Sequence, residues 1–185
     1  MKNFKIIKSE TIYNGRVFDV RIDKIKYDSG NESIREIAVH NGGAVVLAIN
    51  DNDEILFVKQ YRHPFDDYLI ELPAGKLEPN EEPLKCAVRE LEEETGMIAG
   101  KITKLGAIAT TPGFCTELLH IYLAEELQEG KTNREEGEYG MSVIKMSLQE
   151  AEKKITNGEI FDAKTLAGIL YYKLFEANAR KINRI

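Results

Sequence analysis

Cysteine is scarce in this sequence, and the marks of several other protein classes are missing as well. Two cysteines among 185 residues, without metal-type spacing, argue against a disulfide framework and favour a reducing compartment. No apolar run approaches the roughly 20 residues of a membrane span, and the N-terminal residues lack the apolar core of a signal peptide. The 25 basic and 31 acidic residues give a formal net charge of -6, which argues against a basic nucleic-acid-binding face. We therefore expect a soluble cytoplasmic protein with no membrane or nucleic-acid partner.

The chain does contain enough apolar sequence for a sizeable core, with clear periodicity. Hydrophobic residues make up 43% and charged residues 30% of the chain, a balance typical of globular domains. Strand patterns fill residues 4–62, and the continuous apolar run 44–49 is typical of a strand covered on both faces. Later strands are predicted at 101–110, 117–126 and 141–146, and helices at 83–94, 147–157 and 162–181. This order predicts a layered α/β (α+β) fold.

The first forty residues are strand-rich but small for an independent sheet. Two or three strands with a single apolar face are marginal alone and need a covering surface. That surface is either a neighbouring subunit or the protein's own core, and the residues favour neither.

The strongest chemical signal is a group of carboxylates on the predicted helix 83–94. Because successive helical residues advance by about 100°, Glu90, Glu93 and Glu94 lie within roughly 100° of one another. The apolar residues of this helix are predicted to form a stripe on its other side: Leu84, Ala87, Val88 and Leu91. Like charges at this spacing cost about 0.2–0.5 kcal/mol per pair. A solvated acidic face is the plain interpretation, and a divalent-cation site is the one that explains the repulsion.

The spacing around these carboxylates resembles the sequence motif of the Nudix hydrolase family. The residues that carry the resemblance are Gly75, Glu81, Arg89-Glu90-Leu91, Glu93-Glu94 and Gly96. Every fixed position of the Nudix box is filled, so a chance match is remote. The resemblance implies a Nudix-type α/β/α sandwich for residues 41–185, after a small antiparallel β-sheet formed by residues 1–40.

The resemblance also implies a chemistry, which is hydrolysis of a nucleoside diphosphate linked to another group, assisted by Mg²⁺ or Mn²⁺. The metal-ligand positions that it implies are the Ala74 carbonyl, Glu90, Glu93 and Glu94, with Glu93 also catalytic. The motif positions that it implies to be structural are Gly75, Glu81, Arg89 and Gly96, with an ion pair between Glu81 and Arg89. Cations are also needed physically, because an acidic protein repels a pyrophosphate unless bound metal reverses the local potential.

Two further segments resemble the ADP-ribose pyrophosphatase branch of the family. Pro112 lies sixteen residues beyond Gly96, and Glu117 follows it. An ordinary β-turn is the alternative for this Pro-Gly pair. The acidic loop 134–139 resembles the loop that carries the general base in that branch. By resemblance Glu136 is the base, Glu138 is an extra metal ligand, and Glu135 is the base if the register slips by one.

The N-terminal half also resembles this branch. By resemblance, Phe18 stacks on adenine, and Arg35 and Arg62 hold the nucleotide. A plain core position is the alternative for Phe18. The resemblance further implies a homodimer with exchanged N-terminal strands, which would cover the undersized sheet.

The function that we expect is therefore metal-dependent hydrolysis of the pyrophosphate of ADP-ribose to AMP and ribose 5-phosphate. Hydrolysis of another nucleoside diphosphate sugar is the neighbouring hypothesis. A non-catalytic domain that senses ADP-ribose is the third, and the intact carboxylate set argues against it.

Overall fold

The structure is a computed structural model that describes residues 2–133 and 140–182, with side chains described up to residue 179. The strands are β1 Phe4–Tyr13, β2 Asp19–Tyr27, β3 Glu32–Val39, β4 Gly43–Ile49, β5 Glu54–Arg62, β6 Asp67–Glu71, β7 Ala74–Lys76, β8 Met97–Ala109, β9 Leu118–Glu129 and β10 Ser142–Ser147. The helices are α1 Pro83–Thr95, α2 Leu148–Thr156 and α3 Ala163–Ile182. None of the helices within this part of the chain is long and apolar enough to cross a lipid bilayer.

The chain forms two compact units. The first unit contains the residues up to Gly42 together with Ala109–Leu118, and the second contains Gly43–Ile108 together with the residues from Leu119 onward. Segment 109–118 groups with the N-terminal residues because the Ala38 backbone donates to the Phe114 carbonyl at 2.8 Å and accepts from Thr116 N at 3.0 Å. This grouping differs in that segment from the predicted boundaries, 1–40 and 41–185.

The second unit is built on a mixed sheet with the strand order β10-β5-β4-β9-β8. β4 runs parallel to β9 and antiparallel to β5 and β7, while β6 extends the pairing along β5. The short strands β6 and β7 are absent from the sequence prediction, because each is too brief to show a period.

Alternate residues of β4 face two different apolar layers, as the continuous apolar run predicts. Ala44, Val46 and Ala48 pack in one cluster with Ala87 and Leu91 of α1. The residues between them pack in a second cluster with residues of α2 and α3: Val45, Leu47, Ala151 and Ile169. Since neighbouring strand residues point to opposite faces, α1 covers one face of the sheet, and α2 and α3 cover the other.

The ends of the helices follow local sequence signals. α1 begins at Pro83 and ends against Gly96, whose φ of 71° is the left-handed conformation that glycine adopts without strain. Glu82, the N-cap of α1, makes no side-chain capping bond. α2 begins at a working cap, because the Ser147 hydroxyl accepts from Glu150 N.

The predicted apolar stripe of α1 is partly wrong. Leu84 and Val88 are 47% and 43% exposed, whereas Glu90 and Glu94 are buried with Leu91. The prediction placed the carboxylates on the side opposite the apolar stripe, but the structure buries Glu90 and Glu94 together with Leu91. The buried carboxylates of Glu90 and Glu94 form part of the site described below.

The first unit contains the antiparallel sheet β1-β2-β3. The predicted turn after β2 is present, with Gly30 at a φ of 93° and its N–H bonded to the Tyr27 carbonyl at 2.9 Å. Large apolar side chains of this unit remain exposed: Ile6, Ile7, Ile12, Tyr13, Val17, Phe18, Ile34, Phe114 and Leu118. Exposed apolar side chains grouped in this way are typical of interaction surfaces.

Candidate active site

Gly75 in β7 lies directly against the carboxylate of Glu90 in α1. A Cβ placed on Gly75 would lie 1.8 Å from the Glu90 carboxyl carbon, so any side chain at residue 75 would displace that carboxylate. The missing side chain therefore creates the space in which Glu90 sits, and this explains physically why the motif has glycine here.

Two of the three α1 carboxylates are buried. Glu90 is 7% exposed and Glu94 is 2% exposed. The Glu94 Oε2 atom accepts a hydrogen bond from Ala74 N at 3.0 Å, which ties β7 to the helix. Burial of an ionised carboxylate is costly unless a cationic or hydrogen-bonding partner compensates it.

Arg89 is the cation that the structure places among these carboxylates. Its guanidinium bonds both oxygens of Glu81, each at 3.0 Å, so the expected Glu81–Arg89 ion pair is present. It also reaches Glu90 at 2.6 Å and Glu93 at 3.0 Å. The hydrogen bond from Arg89 lowers the pKa of Glu81, and that bond and the nearby carboxylates raise the pKa of Arg89.

Cys86 lies on the buried face of α1 beneath this group. Burial, and next the negative charge of Glu90, raises the pKa of its thiol to about 12. A thiol that stays protonated at neutral pH is a poor nucleophile, so Cys86 serves as packing.

The donor chemistry of this site fits a hard divalent cation. The three glutamates of α1 supply carboxylate oxygens, the ligands that Mg²⁺ and Mn²⁺ prefer, and Gly75 leaves room for one of them. Within residues 2–133 and 140–179, no three His, Cys, Asp or Glu side chains converge as a metal-binding group. Glu90 and Glu93 are instead both paired with Arg89.

A second charged cluster surrounds Glu71 at the end of β6, and the sequence analysis named only one of its members, Arg62. Arg62 bonds both oxygens of the buried Glu71, at 2.7 Å and 2.6 Å. Lys164 contacts Glu71 and also donates to Asp162 at 2.9 Å. Burial raises the pKa of Glu71, but the bonds and charges of Arg62 and Lys164 outweigh it, so the net pKa is lowered. Among the members that were missed, only Asp162 carried a local signal, as a helix N-cap residue.

The other predicted nucleotide-binding residues lie in the first unit. Phe18 is 45% exposed, so its alternative interpretation as a core residue is wrong. Arg35 donates to the Tyr27 hydroxyl at 2.5 Å, and Glu117 lies 3.4 Å from His40 Nδ1. Pro112 lies in a turn that the Phe114 N–H closes onto the Thr111 carbonyl at 3.1 Å.

Residues 39–168 match the family model described as the NUDIX domain. The chain belongs to the NUDIX family. The predicted family and the predicted α/β fold class are therefore confirmed.

Individual proteins match over nearly the whole chain. The ADP-ribose pyrophosphatase of Bacillus subtilis (strain 168) is 44% identical over 175 residues, which cover 94% of each chain. The methanol dehydrogenase activator of Bacillus methanolicus is 40% identical over 179 residues, which cover 96% of each chain. A solved structure described as an ADP compounds hydrolase superposes with a TM-score of 0.87 over 97% of each chain. At 19% identity, that structure supports the fold alone.

The Nudix motif residues fall into a single group, whereas the residues implied by the branch resemblance are spread along the chain. The motif residues lie on β7, on α1 and on the loop between them, and they are Ala74, Gly75, Glu81, Arg89, Glu90, Glu93 and Glu94. Arg62 lies in the same unit, and Phe18, Arg35, Pro112 and Glu117 lie in the other. Glu135, Glu136 and Glu138, the candidate base and extra ligand, lie outside the described residues.

Proposed function

We propose that this Nudix protein hydrolyses the diphosphate bridge of ADP-ribose to AMP and ribose 5-phosphate, with Mg²⁺ or Mn²⁺ as its cofactor. The observation that carries the proposal is the complete set of α1 carboxylates, with Glu90 packed against Gly75 and both Glu90 and Glu93 bonded to Arg89. The 44% identity to an ADP-ribose pyrophosphatase supports the choice of substrate.

The α1 glutamates and the Ala74 carbonyl hold the divalent ion in this proposal. When bound, such an ion stabilises negative charge that develops on the phosphoryl oxygens. Glu136 accepts the proton of the attacking water as general base, with Glu135 as the alternative, and Glu138 adds a ligand. Arg89 keeps Glu81, Glu90 and Glu93 in place through its ion pairs.

Three residues are assigned to the nucleotide in this proposal. We assign adenine stacking to Phe18, which is accessible for it, and phosphate or ribose contacts to Arg35 and Arg62. Arg62 uses two of its nitrogens on Glu71. This contact fixes the guanidinium and leaves its remaining N–H groups for the substrate. Pro112 and Glu117 are assigned to substrate binding as well, as the branch resemblance implies.

A substrate panel tests the proposed function. The full-length protein is incubated with ADP-ribose, UDP-glucose, GDP-mannose and NADH in Mg²⁺, and the products are separated by chromatography. We expect AMP and ribose 5-phosphate from ADP-ribose, at the highest kcat/KM of the panel. A much higher kcat/KM for a sugar nucleotide would support the neighbouring hypothesis, and tight binding without any cleavage would support the sensor hypothesis.

We also propose that the protein is a homodimer in which the N-terminal strands are exchanged between subunits. The exposed apolar side chains of β1 and β3, Ile12 and Ile34 among them, support this arrangement. Their burial against a second copy would remove these apolar side chains from water.

A further inference from the structure

A buried hydroxyl of α3 contacts the loop that leads into the Nudix box. Thr165 is fully buried, and its Oγ1 atom accepts a hydrogen bond from Leu72 N at 2.8 Å. The same hydroxyl donates to Asp162 Oδ2 at 2.6 Å, and Thr165 N donates to that oxygen at 3.0 Å. Because Asp162 caps the start of α3, the orientation of the hydroxyl is fixed by the helix itself.

The segment that Thr165 contacts is held at each following residue. The Pro73 carbonyl accepts from Val46 N at 2.9 Å, and Ala74 N donates to Glu94 Oε2 at 3.0 Å. Leu72, which bonds Thr165, is thus only two residues before Ala74, whose N–H bonds the buried Glu94 carboxylate of α1. A shift of Leu72 would be transmitted to Ala74 through a segment with little freedom.

The α3 helix also approaches this segment closely. A Cβ placed on Gly168 would lie 2.4 Å from Leu72 Cδ1, so the helix packs onto Leu72 where it has no side chain. Lys164, which precedes Thr165 in α3, contacts the carboxylate of Glu71, which precedes Leu72. Three successive contacts therefore connect the first two turns of α3 to residues 71–72.

We propose that Thr165 is a positioning residue of the Nudix site. Its hydroxyl fixes Leu72, so that Ala74 and Glu94 keep the relative placement from which they hold a divalent cation. This inference rests on the proposed function in one respect, the assignment of Ala74 and Glu94 as metal ligands. A valine at residue 165 would leave the Leu72 N–H buried without its acceptor, and the segment would move to find another.

Manganese binding in the absence of substrate tests this inference. The variants are Thr165→Val, which removes the hydroxyl at nearly constant volume, and Thr165→Ser, which restores it. Thr156→Val is the matched control, because Thr156 is exposed and its hydroxyl bonds only the Lys153 carbonyl of its own helix. The dissociation constant for Mn²⁺ is measured by calorimetry, and amide hydrogen exchange is followed at residues 72–74.

We expect Thr165→Val to weaken Mn²⁺ binding roughly tenfold, the scale typical of groups that position metal ligands. Exchange at residues 72–74 should accelerate, the serine variant should recover most of the affinity, and the control should match the unsubstituted protein. Gly168→Ala, which pushes on Leu72 from α3 and keeps the hydroxyl, should also weaken binding and serves if the valine variant does not fold.

An unchanged Mn²⁺ affinity in Thr165→Val, with or without a lower melting temperature, would overturn the inference and leave Thr165 a purely structural residue. A protein that binds no Mn²⁺ at all would overturn both this inference and the proposed function. A protein that binds Mn²⁺ but cleaves no nucleotide would overturn only the proposed function, since the affinity comparison still decides the role of Thr165.

Discussion

The Arg89 guanidinium forms ion pairs with three carboxylates, and these shared contacts determine the effects of single substitutions in the site. Arg89 bonds Glu81, Glu90 and Glu93, so a change at any of these residues redistributes the contacts of the others. Glu93 is the most accessible of the three, with 29% of its side chain exposed. It is therefore the residue at which function can be altered with the smallest effect on packing.

Glu93→Gln should lower kcat by at least about 100-fold, because an amide keeps the shape but removes the charge that a divalent cation needs. The measurement is steady-state hydrolysis of ADP-ribose at saturating Mg²⁺. Glu92→Gln, the same change on the neighbouring residue, should leave kcat nearly unchanged. Near-normal turnover in Glu93→Gln would show that the metal site has been misassigned.

Gly75→Ala should disturb the site more than the fold. The added methyl would overlap the Glu90 carboxylate, and overpacking of this kind costs about 1–3 kcal/mol of unfolding free energy. Displaced from Arg89, Glu90 should also lose its place as a ligand. Urea unfolding and ADP-ribose turnover measure the two effects, and Gly113→Ala, with nothing within 4 Å of the added Cβ, is the control. Equal behaviour of the two variants would contradict this account of Gly75.

Glu71 should make stability depend on pH in the acid range. Its folded pKa lies below the ordinary value of 4.5, so its stabilising contribution is complete above that value and is lost as pH falls through the folded pKa. Glu71→Gln leaves Arg62 and Lys164 without a counter-charge and should cost about 3 kcal/mol at neutral pH. The difference in unfolding free energy should shrink below pH 4.5. Glu10→Gln, in an exposed ion pair with Lys8, should cost little at any pH.

Among the secondary-structure elements, those with local signals could be predicted from sequence. Pro83 and Gly96 mark the ends of α1, and Ser147 marks the start of α2, because each acts on its own backbone. The inward-facing Glu90 and Glu94 could not be predicted in the same way, since their burial depends on Gly75 and Ala74 of another strand.

Contacts between distant residues explain the rest of what the sequence analysis missed. The bonds from Lys164 to Glu71 and from Leu72 to Thr165 each join residues 93 positions apart. A helical or strand period carries no information about such pairs. The family resemblance pointed to the α1 carboxylates, which the structure places beside Gly75 and Arg89. It did not supply the α3 residues that contact residues 71–72.

The strand β9 contains a strained residue that offers a test at this scale. Glu126 has a φ of 57°, a left-handed conformation that costs a non-glycine residue about 1–2 kcal/mol. Glu126→Gly should therefore raise the unfolding free energy by up to about 1 kcal/mol. Gln128→Gly, on an exposed residue of the same strand, should lower it by about 0.5–1 kcal/mol. Urea denaturation measures both, and destabilisation by Glu126→Gly would contradict the expectation.

At the scale of the whole molecule, the exposed apolar side chains of the first unit predict self-association. Ile34 is 59% exposed on β3, and an aspartate there should shift the protein from dimer to monomer. Leu170→Asp is the control, since Leu170 of α3 is similarly exposed at 57% but lies in the second unit. Light scattering after size-exclusion chromatography measures the mass. A monomeric unsubstituted protein, or dissociation by Leu170→Asp alone, would refute the proposed exchange of N-terminal strands.

The Arg89 guanidinium bears on whether the protein needs a divalent ion in order to fold. Because the Arg89 guanidinium pairs with three of the acidic groups, we expect the protein to fold without a bound divalent ion. A chelator should then abolish turnover while leaving the melting temperature almost unchanged, and added metal should restore activity without any refolding step. The metal-free enzyme would then be folded but inactive, and its rate of hydrolysis would follow the concentration of free divalent ions.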